Sequence, residues 1–459
     1  MQKRDFETIK WQLGRHPRGL HSIVRRCEFD CPQVVITKPM LGPGQVFPTT
    51  YWLTCPHLVK EVSRLESTGM IAQLTELAAS NTDFAKALEK AHEDYSTLRQ
   101  SLLSPKEWET LLERHPDQYV VLKDSGIAGI RGPGVKCLHA HLAHFLAGGE
   151  NPVGRRVWEL IKCKSCSPTR SASIGIGTNS TRLLIAENLC NVRPIHEDIR
   201  YPRIGEGLQE GRLTNDAMSR TIKVIQEFLK VTEESRVQKV VIFATSGVRS
   251  ADNQEEFCRC VQQATKRRIR ILSGKEEAKW SYTGATYGAF PKPNLVDIGG
   301  GSTEFVLDEH FTSIDIGAVR LHEAYLSGDL PTSDEIDQAV RQVMAMLIEL
   351  PQSKNPLVVV GGTATTLVSM ELGLREFDSK MIHGSFLTEG ALNKWINRLA
   401  RLTVSERTAL PGLPRERADI IFSGAIILRA VMQHFEVEEV QISTNDIMLG
   451  ALLWLQGRR

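Results

Sequence analysis

The stretch DIGGGSTEF, residues 297–305, concentrates more chemistry than any other segment of the chain. Its apolar lead-in reads as a buried strand that delivers Asp297 at its carboxyl end. Gly299, Gly300 and Gly301 then let main-chain amides approach a phosphate with no Cβ in the way. Ser302 and Thr303 add hydroxyl donors. Glu304 follows closely enough for a tight hairpin to return it to Asp297. A carboxylate pair beside an amide cradle suits Mg²⁺ with phosphate, because Mg²⁺ takes one or two carboxylates, several waters and phosphate oxygens. Taken alone, the same residues also fit a solvated glycine hairpin.

Three further segments repeat the theme. GTNSTRL (177–183) lies between two strand-like runs and offers Gly177, Thr178, Asn179 and Ser180 as donors. VVGGTATTL (359–367) places Gly361, Gly362 and Thr363 between a buried strand and a helix whose N-terminus can hold an anion. ATSGVRSADN (244–253) ends another strand and supplies Arg249, a fork donor matched to phosphate. Two glycine hairpins and a Gly-Gly-Thr turn predict two related halves clamping a phosphate chain.

The elements that must position these residues alternate. Strand patterns at 173–177, 182–187, 240–245, 269–272, 356–360 and 440–443 are separated by amphipathic helical stretches. Thr214 or Asn215 caps one helix, and another starts at Ser333. Strands alternating with helices predict α/β layers with a substantially parallel sheet. The first 155 residues read differently, as an α+β, mainly helical domain with short strands within 25–55. A linker is expected at 156–171, then one half at 172–293 and a second at 294–459, with the last helix free to return to the first half.

Composition bounds the function classes. The chain has 459 residues and a formal net charge of +2. That balance argues against a nucleic-acid coat or a polybasic membrane binder. No apolar run reaches the roughly 18 residues of a membrane span, and the N-terminus lacks the apolar core of a signal peptide. A cytoplasmic protein is therefore expected, its nine cysteines thiols or metal ligands. Four cysteines stand in the front domain: Cys27, Cys31, Cys55 and Cys137. Four thiolates suit a structural Zn²⁺ site or an iron–sulfur cluster, with His57, His139 and His141 in reserve. Buried apolar thiols are the plainer reading. Cys163 and Cys166 form a Cys-x₂-Cys pair in the linker.

From about residue 172 the chain resembles the exopolyphosphatase / guanosine pentaphosphate phosphohydrolase (Ppx/GppA) family. The resemblance rests on GTNSTRLLIA, ATSGVRSADN, LSGKEEA, VDIGGGSTEFVL, DIGAVRL, VVGGTATTL, MIHGSFLT and LPRERADIIFSGA, in family order. It implies an actin/Hsp70-like ATPase fold of two ribonuclease-H-like halves. It also implies Mg²⁺-dependent removal of terminal phosphate from inorganic polyphosphate or guanosine pentaphosphate, dimers, and Glu277 as the general base. Two positions depart from the family pattern. Gly175 stands where the first hairpin normally carries Asp, and Met448 where an Arg often precedes the final Gly-Leu-Leu. These departures motivate an alternative, an actin-like binder of polyphosphate or guanosine penta- or tetraphosphate with weak turnover or none. Gly175→Asp is the change expected to separate the two. Residues 8–154 resemble a second family, the bacterial domain of unknown function 501, which brings no activity with it.

Overall fold

Apolar runs rich in Val and Ile build two sheets, and glycine hairpins fold each sheet back on itself. The computed structural model describes residues 3–42, 45–162, 164, 168–188, 192–208, 211–287 and 293–457. The chain divides into two units. One comprises Met1–Pro168 with Leu189–Asn191, the other Thr169–Asn188 with Val192–Arg459.

The larger unit contains eleven described strands: β1 (Thr169–Ile176), β2 (Thr181–Asn188), β3 (Val192–Arg200), β4 (Lys239–Ala244), β5 (Ile269–Ile271), β6 (Asn294–Ile298), β7 (Thr303–Leu307), β8 (His310–Ile314), β9 (Leu357–Val360), β10 (Phe386–Thr388) and β11 (Glu439–Ile442). The first sheet runs β5-β4-β1-β2-β3 and the second β8-β7-β6-β9-β11-β10. Strands β1, β4 and β5 are parallel, and β2 and β3 return antiparallel. In the second sheet β6, β9 and β11 are parallel, with β7, β8 and β10 antiparallel. The sheets are thus mixed, less parallel than the alternation predicted. Each repeats one plan: an antiparallel three-strand meander with two parallel strands beside its first strand.

Buried side chains fill both faces. Ile174, Ile176 and Ile242 pack against Phe228 of helix Asn215–Glu234 and Phe257 of helix Gln254–Thr265. The second half has a larger core around Val296, Leu367, Phe422 and Ile426. The last helix, Ile447–Leu455, lies on the first sheet, where Met448 and Leu452 join Phe243 and Trp280. It crosses helix Gly274–Ala285 backbone to backbone. A Cβ at Gly284 would stand 1.9 Å from the Asp446 carbonyl, and one at Gly450 would stand 1.9 Å from that of Trp280. Only glycine permits so close a crossing.

The smaller unit has a three-stranded antiparallel sheet, Leu20–Arg26, Pro32–Thr37 and Tyr51–Leu53 in that spatial order. Helices surround it. Met70–Ser80 and Thr82–Ser101 are separate helices, parted at Asn81, whose side chain caps the second. Arg99 is fully buried and donates to the carbonyls of Leu122, Pro48, Gly126 and Ser125. Among the described residues no helix is long and apolar enough to cross a membrane.

Candidate active site

Two hairpins of the same build face one cleft in the larger unit. The amide of Gly177 donates to the Ser180 carbonyl at 2.9 Å, and that of Gly299 donates to Ser302 at 3.0 Å. Carbonyls of Gly299 and Gly300 accept from Ala318, Val319 and Arg320, capping helix Ala318–Tyr325. The amides of Gly300 and Gly301 have no partner among the described residues. The glycines are needed for space. A Cβ at Gly301 would meet Thr178 Oγ1 at 2.7 Å and Ser246 Oγ at 2.8 Å. Two buried donors in the cleft wall, Asn179 Nδ2 and Ser246 Oγ, also lack a partner. Buried polar groups are nearly always bonded, so these two are the mark of a site for anionic oxygens.

The third turn closes the floor. Gly361 has φ +95°, a conformation open to glycine, and a Cβ there would meet Asp297 Oδ1 at 2.9 Å. Gly361, Gly362 and Thr363 line the same cleft.

Carboxylates converge beneath the hairpins. Asp297 and Glu304 stand opposite each other in the β6–β7 ladder and so share a face. Glu277 belongs to the first turn of helix Gly274–Ala285 and is also buried. The adjacent glutamates have separate tasks. Glu276 closes a capping box with Ser273, while Glu277 turns into the cleft. Arg249 Nη1 donates to Glu277 Oε2 at 2.6 Å and to the Leu272 carbonyl at 2.8 Å. The expected phosphate fork is thus engaged with the expected base. Glu304 is held by Ser302 at 2.6 Å and Ser313 at 2.8 Å, and Asp297 accepts from Ser281.

Burial favours the neutral acids here. It pushes Glu277 up to about 7, against the pull of Arg249. It pushes Asp297 up to about 6, against Ser281 and Arg182. Glu304 is driven well above the ordinary range by burial and by the charges of Glu277 and Asp297. Facing carboxylates with raised values are a donor set that a hard divalent cation would relieve. The residues therefore fit Mg²⁺.

Of four further lining residues, three escaped the sequence reading and one was read only as a departure from the family pattern. Asp446 caps the last helix and pairs with Arg182. Burial opposes the charge on Arg182, but Asp446 more than offsets it and the guanidinium is held up. Arg417 lies flat on Gly362, where a Cβ would stand 2.1 Å from its Nη1. Met448 is the fourth. A Cβ at Gly175 would meet Met448 Sδ and Phe243 Cζ, each at 2.7 Å. The absent carboxylate's room is filled by a thioether and an aromatic edge. Only folding brings 175, 243 and 448 together, so no local motif announced the replacement.

Among known sequences, residues 185–453 match the model of the Ppx/GppA phosphatase family. The chain belongs to the Ppx/GppA phosphatase family. Residues 23–159 match the family described as protein of unknown function (DUF501). The chain is 32% identical to exopolyphosphatase 2 of Mycobacterium tuberculosis, over 63% of this chain and 99% of that one. It is also 32% identical to a bifunctional 3-dehydroquinate synthase/phosphatase of Fusobacterium nucleatum, over 61% of this chain but 46% of that protein. The guanosine-5'-triphosphate,3'-diphosphate pyrophosphatase of Aeromonas hydrophila is 26% identical, with 59% of its length covered. The crystal structure of the Aquifex aeolicus Ppx/GppA family member superimposes with TM-score 0.56 at 30% identity, covering 64% of this chain and all of that one. The two-half, actin-like ATPase fold of this Ppx/GppA chain is therefore that of its solved relatives.

The front cysteines do not assemble as expected. Cys27 and Cys31 face each other across the turn before strand Pro32–Thr37, and the Cys31 side chain, with burial, pushes the Cys27 thiol well up. Cys55 is buried among Val34, Leu53 and Leu58. Cys137 caps helix Leu138–Leu146. Among the described residues, one group of three His, Cys, Asp or Glu side chains comes within ligand distance, and of the four cysteines it contains only Cys137. A four-thiolate site is thus excluded: a strand turn, a core position and a helix cap put these sulfurs on different elements. Cys163 and Cys166 lie outside the described residues.

Proposed function

We propose that the larger unit is a hydrolase of phosphoanhydrides that removes terminal phosphate from guanosine pentaphosphate or inorganic polyphosphate, with water activated by Glu277. The observation that carries this reading is Glu277, buried beside two unpartnered donors and two phosphate hairpins. Free amides at Gly300 and Gly301, with Asn179 and Ser246, bind the terminal phosphoryl oxygens and meet the charge that develops on them. Thr178, Ser180, Ser302 and the 361–363 turn line the path of the remaining chain. Glu277 takes a proton from the attacking water, and Arg249 fixes its carboxylate and favours its charged form. The rate then rises with pH as Glu277 ionises. Asp297 and Glu304 would hold Mg²⁺, which supplies charge neutralisation on the phosphate oxygens when bound.

The substrate is argued from the space beside the cleft. A second chamber shares Arg182, Gly361, Gly362, Arg417, Asp446 and Met448 with it. Glu197, Asp198, Glu416 and Asp446 line this chamber with Arg182 and Arg417, Asp446 being paired with Arg182 and Asp198 with Arg200, and Tyr201 and Phe377 add ring surface. Acidic walls repel a long polyanion and accept the N–H edge of a base. The reading favoured is therefore the guanosine nucleotide.

Phosphate release from each substrate, with Glu277→Gln as control, tests the proposal. General-base loss is expected to slow turnover by about 10²–10⁴-fold. Wild-type release no faster than the variant's would sink it. One observation favours a second reading, binding with little turnover: Met448 and Phe243 occupy the place of a carboxylate at 175. Tight nucleotide binding without phosphate release would establish that reading instead.

A further inference from the structure

In the smaller unit Glu66, Cys137 and His139 bring a carboxylate, a thiol and an imidazole together. Their ligand atoms all lie within 4.8 Å of one another, and each residue is half-buried. Glu66 ends helix Pro56–Ser67, Cys137 caps helix Leu138–Leu146, and His139 sits in that helix's first turn. The Leu138 amide donates to Glu66 Oε1 at 2.8 Å, which fixes the carboxylate against the cap.

The convergence of the three ligand atoms carries the argument, and the contacts of His139 are compatible with it. Its Nε2 lies 3.2 Å from the Val59 carbonyl oxygen. Ser63 Oγ lies 3.2 Å from the same nitrogen, so Nε2 either donates to the Val59 carbonyl or accepts from the Ser63 hydroxyl. Nδ1 lies 3.2 Å from Glu66 Oε1, an acceptor. With the proton on Nδ1 the ring donates to Glu66 and accepts from Ser63; with the proton on Nε2 it donates to Val59 and turns the Nδ1 lone pair towards Glu66, as a metal ligand would. Cys137 at the same point favours a metal that accepts sulfur. A Cys–His–Glu relay would place thiol and carboxylate at opposite ring nitrogens; here all three groups are mutual neighbours. An N–H donated to a backbone carbonyl is also the usual outer-shell partner of a metal-ligating histidine.

We infer that Glu66, Cys137 and His139 bind one Zn²⁺ ion. A thiolate, an imidazole and a carboxylate form a zinc donor set, and three protein ligands leave a fourth position for water or a partner's side chain. Binding replaces the Cys137 thiol proton by the metal, so one proton leaves for each ion that enters a thiol-form site. The inference stands apart from the phosphatase reading, and its test does not use that activity.

The full chain is stripped with chelator and titrated with Zn²⁺ alone against a competing chromophore. One equivalent is expected to bind with release of a proton. Co²⁺ in the same site is expected to give a charge-transfer band of one thiolate. Cys137→Ser and His139→Ala are expected to weaken binding beyond the roughly 10–100-fold that loss of an outer-shell partner costs. The double variant Cys27→Ser/Cys31→Ser is expected to bind as the native chain does. Absence of stoichiometric binding, a cobalt spectrum without a thiolate band, or full binding by Cys137→Ser would overturn the inference. If a ligand variant does not fold, the thiolate count in the native cobalt spectrum still decides.

Discussion

At the scale of single residues, the site is a set of acids held away from their ordinary ionisation. Burial raises Glu277 to about 7 and Asp297 to about 6, and with the charges of both it holds Glu304 well above its ordinary range. The sign follows from linkage. A group with a raised folded value contributes stability at pH below its unfolded value, and that stability is lost as pH climbs through the folded value. In chelator the larger unit is therefore expected to lose stability from about pH 5 to above pH 7, and Mg²⁺ is expected to restore it. Thermal melts across that range, with and without the cation, check this. Glu277→Gln flattens part of the slope. Gly175 gives a second prediction. A side chain there collides with Met448 and Phe243, so Gly175→Asp alone is expected to destabilise the fold by about 2 kcal/mol or more, through overpacking and an unpaired buried charge. It is not expected to raise turnover. Making room with Met448→Ala in the same chain is expected to recover stability. A single variant with unchanged melting and faster phosphate release would contradict this account. Gly175→Asp is thus no clean test of lost catalysis, whatever the motif comparison suggested.

At the scale of elements, the phosphate site was legible because hairpins and caps are local. Strands β1, β2, β6, β7 and β9 and their glycine turns could be read from runs of Val and Ile ending in Gly, Ser and Thr. Strands β3 and β8 went unread: their burial is slight and their composition mixed, so no period of two stands out. Asp446 was missed because an N-cap aspartate looks the same in sequence whether its carboxylate faces water or a buried arginine. The cysteines misled for the same reason, since spacing along a chain says little about which elements converge. Helix Leu138–Leu146 provides this scale's prediction. Burial pushes His141 down to about 3 and His144 to about 4, with the neighbouring His92 adding to both. Asn151 Nδ2 lies 3.2 Å from Nδ1 of each ring. Groups with lowered folded values contribute stability above the unfolded value near 6.5, and it is lost as pH falls. The smaller unit is expected to unfold progressively from about pH 6.5 towards pH 4. His141→Gln should flatten that dependence, as followed by circular dichroism, and an acid profile equal to wild type would refute the assignment.

At the scale of the whole larger unit, two sheets of one plan make a clamp, and the space beside it decides what enters. With Asp446 paired to Arg182 and Asp198 to Arg200, Glu197 and Glu416 against Arg417 set the charge of the adjacent chamber, and they predict that guanosine pentaphosphate is hydrolysed in preference to long-chain polyphosphate. Competition between the two at equal phosphate concentration measures it, and polyphosphate preference would reverse the charge argument. Glu197→Gln is expected to narrow the difference, because it removes an acid from the chamber wall. The backbone crossing at Gly284 and Gly450 has a consequence in time as well as space. Asp446 and Met448 enter the site on the last helix, long after both hairpins have been synthesised. Until that helix docks, Arg182 lacks its partner, and the pocket beside Gly175 is open to water. A ribosome-bound chain halted before residue 446 would display both phosphate loops but not a finished site. Activity should therefore appear late in synthesis and abruptly, a step rather than a ramp.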